Sequence, residues 1–258
     1  MSILDGESFL TRRTPETANV IVEDGQLAAG MATERRAAAT RAARALVLRI
    51  GSGSWDARAD AEVTSGGYGF LVLSGLLIRR VGIGERVGAE LLGPGDVLRP
   101  LEHDGDGATL PFEATWRVLD PLRLAVLDRR WAFRMSPFPE VAIELTARGL
   151  RRSRRLANTL AILHHPRLDE RLLLLFWELA DRYGVVRRQG IYVPVPITHE
   201  LLSHLAGARR PSVSGALARL TAAGVLERDE RGWLLHGEPP AQAPVRVTNA
   251  HELRSRAR

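Results

Sequence analysis

Residues 197–237, ITHELLSHLAGARRPSVSGALARLTAAGVLERDERGWLLHG, decide how the chain is read. His199-Glu200 followed by His204 looks at first like a metalloprotease zinc helix. That signature needs histidines at i and i+4, so that both rings leave one helix face toward one ion. Here the second histidine is at i+5, which puts the rings roughly 140° apart around the axis. No zinc site is therefore expected. The rest of the stretch has a different logic. Thr198 can cap a short helix whose apolar face is Leu201, Leu202 and Leu205, and Ala206-Gly207-Ala208 supplies the turn. A second helix follows, with Pro211 in its first turn and Val213, Leu217 and Leu220 at i, i+4 and i+7, until Gly224 stops it. VLERDERGWLL then alternates strand, polar turn and strand, as a wing hairpin would. These elements make a winged helix-turn-helix.

Opposite its buried stripe, the second helix carries Arg210, Pro211, Ser212, Ser214, Gly215, Ala218 and Arg219, and Arg209 precedes it. Small residues with arginines at the start suit insertion into a major groove. There an arginine can grip guanine O6 and N7, and hydroxyls can hold phosphates. A helical hairpin merely packed in a core would not need an exposed basic start.

Upstream of this stretch the texture changes twice. From about Val47 to Asp128, short apolar runs alternate with glycine: LVLRI, YGFLVLSGLLIRRVGIG, VGAELLGPGDVL, EATWRVLD and RLAVLD. This predicts an antiparallel β-roll or jelly roll. Ser74-Gly75 reads as a tight hairpin, Pro94-Gly95 as a type II turn, and GIGERVG as a hairpin loop rather than a dinucleotide fingerprint. Before the roll, Thr33 to Leu46 favours a lead-in helix opened by a Thr33 cap. After it, Phe138 to Leu163 is helical, with Leu145, Gly149, Ser153, Leu156, Leu160 and Leu163 on one stripe, a natural dimer seam. His164-His165-Pro166 breaks that helix, and a further helix, Arg167 to Tyr183, ends at Gly184. The Pro-rich and then basic tail begins at Glu238.

Composition bounds the function. The 258 residues contain 36 basic and 30 acidic side chains, a net charge of +6, and every basic side chain except the seven histidines is arginine. Net positive charge favours a polyanionic partner, although an arginine-rich, lysine-free chain also fits GC-rich codon usage, so location must decide. Zero cysteines exclude disulfides and thiolate-held metals or clusters. The longest apolar run, Leu172 to Trp177, falls far short of the roughly 20 residues that span a bilayer, and the N-terminus lacks a secretory h-region. The expected location is cytoplasmic, without membrane partners. No nucleophile and base pair, metal-ligand spacing or phosphate loop points to catalysis, so no enzyme and no cofactor are expected.

The order of β-roll, long helix, hinge and winged helix-turn-helix resembles the Crp/Fnr superfamily of bacterial transcription regulators. ITHELLSHLAGARRPSVSGALARLTAAGVL is similar to the family's DNA-reading segment. LGPGDV and EATWRVLDPLRLAVLD resemble its β-roll, and TLAILHHPRLDERLLLLFWELADRYG resembles the end of its dimer helix and the helix after it. The resemblance implies an α+β chain divided into a sensor-like roll (1–137), a dimerisation helix and hinge (138–165), a DNA-binding domain (166–237) and a tail (238–258). It also implies a homodimer on double-stranded DNA, with a small-molecule effector of unknown identity and RNA polymerase as a further partner. Arg210 matches the family's base-contacting arginine. Pro211 stands where many members have glutamate, and Gly215 where they have a second arginine, so the operator preference should differ. Arg209, Ser212, Ser214 and Arg219 are left as contacts around the reading edge, chiefly to phosphates.

The sensor departs from the family too. Cyclic-nucleotide-binding members carry Gly-Glu-Leu and then Arg-Ser/Thr-Ala. This chain has no arginine just before Ala114, and it has an acidic loop from Glu102 to Asp106 that would repel a phosphate. Cyclic AMP is not expected to bind in the usual way. Counting back from LAIL, Ser153 and Arg154 fall where the family's effector-contacting helix residues lie, with Arg151, Arg152 and Arg155 around them; ion pairs across a dimer are the competing use of these arginines. His103, His164 and His165 read as ordinary loop and hinge histidines. The alternative for the whole chain is a ligand-binding or protein-interaction module whose winged helix docks protein instead of DNA.

Overall fold

The computed structural model describes residues 16–84, 86–100, 113–229 and 232–240. Glu102 to Asp106, His103 and the tail beyond residue 240 lie outside the described residues. Internal contacts divide the chain into two units, residues 1–164 with 200–209, and residues 165–199 with 210–258.

The first unit opens with β1 (Thr17–Asn19), α1 (Val20–Glu23), a 3-10 turn and α2 (Thr33–Ala42). The expected lead-in helix is thus shorter than the sequence suggests: Ala32 stands at its N-cap with no side-chain cap, and the chain is already in β2 (Arg44–Ile50) by Arg44. Helix-favouring Ala and Arg lose there to pairing, since β2 lies between β1 and β7 (Glu113–Leu127), with Leu46 opposite Val126. After β3 (Gly53–Trp55) and α3 (Ala57–Ala61) come β4 (Gly69–Ile83), β5 (Arg86–Leu92) and β6 (Val97–Leu98). The sheet order is β1-β2-β7-β4-β5, with β3 pairing β7 and β6 pairing β4, all antiparallel.

Ser74-Gly75 is not a hairpin. β4 runs straight through it, paired with β7 from Gly69↔Leu127 to Gly82↔Glu113, with register shifts between Val72 and Leu77. Gly75 has φ +91, and a Cβ there would lie 2.2 Å from the Pro121 carbonyl oxygen. The glycine therefore serves a bulge that bends a long strand, opposite a proline that cannot donate to the ladder. The other two turns form as read. Gly95 has φ +87 in a turn closed by Asp96 N–H to Gly93 O, and GIGER is a hairpin that brings Ile83 opposite Arg86.

Residues 69–72 of β4 and 124–127 of β7 are buried on both faces, which is why these stretches read as continuous apolar runs. Phe70, Val72, Leu77, Val118, Leu122 and Leu124 fill the roll together with Trp55 and Trp116. Leu71, Ala125 and Leu127 face outward onto Val20, Leu27, Ala39 and the helices α4 (Arg129–Met135) and α5 (Pro139–Leu163), meeting Trp131, Val141 and Leu145. Among the described residues no helix is long and apolar enough to cross a membrane.

The second unit starts with α6 (Leu168–Tyr183). A hairpin that the sequence reading missed follows, β8 (Val185–Arg187) and β9 (Gly190–Val193). Next along the chain is α7 (His199–Leu205), which from Glu200 on is counted with the first unit, and then, in the second, α8 (Arg210–Ala222), β10 (Leu226–Asp229) and β11 (Gly232–Leu235). The sheet order is β10-β11-β9-β8. Phe176 of α6 meets Trp233 of β11 at 5.1 Å between rings, and α6 packs along α8.

Candidate nucleic-acid interface

The start of α8 is built from a turn and a stripe. Gly207, at φ +58, turns the chain out of α7, with Ala208 N–H bonding back to Ser203 O. Val213, Ala216, Leu217 and Leu220 are buried, so helical periodicity turns Arg210, Pro211, Ser212, Ala218 and Arg219 outward and leaves Ser214 and Gly215 half-buried. Arg209, in the turn, is exposed as well.

The seven candidate residues do not behave alike. Arg209 and Arg210 make no ion pair among the described residues. Arg219 does: its Nε and Nη2 donate to Asp169 of α6 at 3.0 and 2.6 Å, a bidentate pair. The Arg219 bond holds the Asp169 carboxyl below its usual range, and Asp169 raises the arginine in turn. Ser214 is also engaged, donating to the Arg210 carbonyl at 3.2 Å, with His199 Nδ1 2.9 Å from its hydroxyl. The hydroxyl thus pins the first turn of α8 to the start of α7. No spacing rule in the sequence flags either partner, because Asp169 lies 50 residues from Arg219. At Gly215 an added Cβ would meet only Arg219 Nη1, at 3.6 Å, so packing does not require the glycine.

The wing is stiffened by arginine too. Arg228 donates to Ile197 O at 3.0 Å and lies 4.9 Å from the Trp233 ring centre. Arg187 stacks 3.6 Å from the Tyr192 centroid and pairs with Asp229.

In the first unit the arginines of α5 are tied within their own chain. Arg148, 9% exposed, holds Asp24 with two bonds, Glu144 and the Gly95 carbonyl. Burial works against its charge, but the Asp24 and Glu144 bonds more than offset this, and its pKa is raised. Arg151 pairs with Glu144, Arg152 with Glu90 through two bonds, and Arg155 with Asp96.

Between the roll and α5 lies a cavity of about 390 Å³ whose α5 wall is Leu145, Thr146, Gly149 and Arg152. Ser153 and Arg154, the residues expected to face an effector, are exposed and do not line it. The helix face toward the roll steps through Leu145, Arg148, Arg152 and Arg155, and Ser153 and Arg154, one and two positions past Arg152, are rotated from it by roughly 100° and 200°. The expected seam stripe splits for the same reason: Leu145 is buried in the core of the first unit, whereas Leu156 and Leu160 are 41% and 61% exposed.

A β-roll, a long helix and a winged helix-turn-helix follow one another in this order along the chain. Residues 154–237 match the Crp-like helix-turn-helix domain family. The CRP-like cAMP-activated global transcriptional regulator of Mycobacterium tuberculosis is 28% identical over 209 residues, covering 77% of this chain and 83% of that protein. Among solved structures, FixK2 from Bradyrhizobium japonicum superposes with a TM-score of 0.57 at 16% identity, covering 77% of this chain and 98% of that one. A CooA variant from Carboxydothermus hydrogenoformans gives 0.56 at 19%, covering 74% and 83%. Across 77% of its length the chain is similar to a transcriptional regulator of the Crp type, and its winged helix-turn-helix belongs to the Crp-like domain family.

Proposed function

We propose that the chain is a cytoplasmic homodimer that binds double-stranded DNA with one α8 per half-site. The observation that carries this is the pair of exposed arginines, Arg209 and Arg210, without carboxylate partners among the described residues at the start of α8, in a chain that pairs most of its arginines along α5. Arg210 reads a base edge, and Arg209 and Ser212 contact phosphates. Arg219 reaches a phosphate only by sharing or leaving Asp169, and Ser214 acts by fixing the first turn. Ile143, Leu150 and Ala157 recur at seven-residue steps on the exposed face of α5, with Ser153 and Leu160 as a second series seven apart beside them, and this face is the dimer seam. Two-fold symmetry then sets half-sites roughly one helical turn apart. An effector other than cyclic AMP biases the relative orientation of the two reading helices.

The test is a footprint on the DNA upstream of the chain's own coding region, with wild type, Arg210→Ala and added cyclic AMP. Two protected half-sites that vanish in the variant and ignore the nucleotide support the reading. Protection that requires cyclic AMP overturns the sensor half of it, and binding insensitive to both salt and Arg210→Ala favours protein docking instead.

A further inference from the structure

The histidine that begins the false zinc motif has a role of its own. His199 is the first residue of α7 and is half-buried. Its Nδ1 lies 2.9 Å from the Ser214 hydroxyl oxygen, and that hydroxyl donates to the Arg210 carbonyl at 3.2 Å. A hydroxyl has one proton to give, so toward the ring Ser214 accepts and Nδ1–H donates. This sets the tautomer: in the neutral ring the proton is on Nδ1, and Nε2 carries only a lone pair. Nε2 has no hydrogen-bond partner among the described residues, and it is not sealed from solvent.

Position gives that nitrogen its meaning. Ser214 follows Arg210 by four residues, so the two share a side of α8, and Arg210 is exposed there. The imidazole therefore lies beside the edge that faces DNA in our reading, where the first helix of a helix-turn-helix crosses the phosphate backbone. The charges around it favour an anion. From Arg210 to Ala222, α8 has no acidic side chain, and Asp169 of α6 is taken by Arg219. From β10, Arg228 reaches the Ile197 carbonyl, two residues before the histidine, while Asp229 and Glu227 pair with Arg187 and His236. On α7 itself, the Glu200 side chain is 65% exposed and lies 3.8 Å from an arginine of its own, Arg80. His204 does not share the role, because burial and then Arg80 hold it below the ordinary histidine range.

We propose that His199 is a proton-linked clamp for a DNA phosphate: protonated, its Nε2–H donates to a phosphate oxygen while Nδ1–H stays on Ser214, and neutral, it has no donor at that atom. The inference rests on the reading of α8 as the DNA-binding helix, and it adds regulation by pH to the same interface. The phosphate stabilises the cation, so binding takes up a proton, and affinity rises as pH falls through the histidine range between about pH 8 and pH 5. The contact goes to the backbone, so it strengthens every DNA sequence alike.

The experiment is a fluorescence-anisotropy titration of the full chain with a random-sequence duplex of about 30 base pairs at low salt, where sequence-independent phosphate contacts dominate. Wild type should bind about fivefold more tightly at about pH 6 than at about pH 8, the upper range of an exposed ion pair. His199→Gln should lose that gain. His199→Arg, a cation at both pH values, should bind at about pH 8 as tightly as wild type does at about pH 6. At the lower pH the wild-type slope of log affinity against log salt should exceed that of His199→Gln by about one contact per chain. The other histidines titrate too, and the difference between wild type and His199→Gln removes their share, with thermal unfolding confirming that each variant is folded. The proposal is overturned if wild type binds the duplex with no gain toward lower pH, if His199→Gln gains as much as wild type, or if His199→Arg stays as pH-dependent as wild type. Duplex binding without the gain sinks this inference and leaves the reading of α8 standing, whereas no duplex binding at either pH overturns both.

Discussion

Arginine is used in two ways in this molecule, and the difference separates structure from function. Along α5, Arg148, Arg151, Arg152 and Arg155 are each matched to a carboxylate, so their charge is absorbed in holding the helix to the roll. At the start of α8, Arg209 and Arg210 have no such match, although the unit supplies carboxylates for Arg187 and Arg219 nearby. The same residue type is thus scaffold in one place and available for a partner in the other. Net charge alone cannot tell these apart; the location of the carboxylates can.

The comparison breaks first at its strongest point. Arg148→Ala leaves Asp24 without its cation in a largely buried setting, and Glu144 with Arg151 alone, and should cost about 3 kcal/mol of unfolding free energy, read by urea denaturation. Arg210→Ala should leave the unfolding curve unchanged within about 0.5 kcal/mol, as exposed positions do. The same change should weaken operator DNA by about 1 to 3 kcal/mol in a titration of binding against salt. If Arg210→Ala instead destabilises the fold as Arg148→Ala does, the contrast fails.

Asp169→Asn sharpens it. Removing the carboxylate frees Arg219, which should steepen the dependence of log affinity on log salt by about one contact. Its effect on stability should be under about 1 kcal/mol, because the pair is solvent-exposed. An unchanged slope would mean that Arg219 belongs with the α5 arginines, as scaffold. The smallest effect is expected at Gly215, where Gly215→Ala should raise stability by about 0.5 to 1 kcal/mol, since the added methyl group meets only ordinary contact. A loss on that substitution would show that α8 is strained there.

Acid should act on both units alike. Arginine bonds hold the carboxyls of Glu16, Glu140 and Asp169 below their usual range. A carboxyl whose folded pKa is depressed stabilises the fold fully above its unfolded value, near pH 4, and loses that contribution as pH falls through the lower folded value. Melting temperature should therefore be insensitive to these three groups from pH 7 to about 5, and should fall below about pH 4. A fall that starts near pH 6 would implicate histidine instead.

Much of the DNA-reading segment was legible in the sequence because its signals are local. Pro211 in the first turn, the Val213, Leu217 and Leu220 stripe and Gly224 all act within a turn or two of themselves. The β-roll was legible as a class but not in detail. Ser74-Gly75 carries the residues of a tight turn, and only pairing with β7, some 45 residues away, makes it a bulge. The β8–β9 hairpin escaped because its short run of two valines and arginines lacks alternation, while the need for Gly190, whose Cβ would sit 2.0 Å from Leu235 O, arises from a distant strand. Ser153 and Arg154 were singled out by the family's register along α5, which does not reveal which face of the helix meets the roll.

The long pairing of β4 with β7 has a consequence for how the chain acquires its shape. Partners lie 31 residues apart at Gly82↔Glu113 and 58 at Gly69↔Leu127, so the centre of the roll must close large loops before any contact rewards it. During synthesis from the N-terminus, the apolar run 69–73 must wait exposed until Leu127 has left the ribosome, nearly half the chain. In the winged unit the hairpins β8–β9 and β10–β11 close over a few residues, but the sheet that joins them waits for β11 to meet β9, 40 residues on at Val193↔Trp233. Each unit therefore completes its sheet only when the last of its strands has been made.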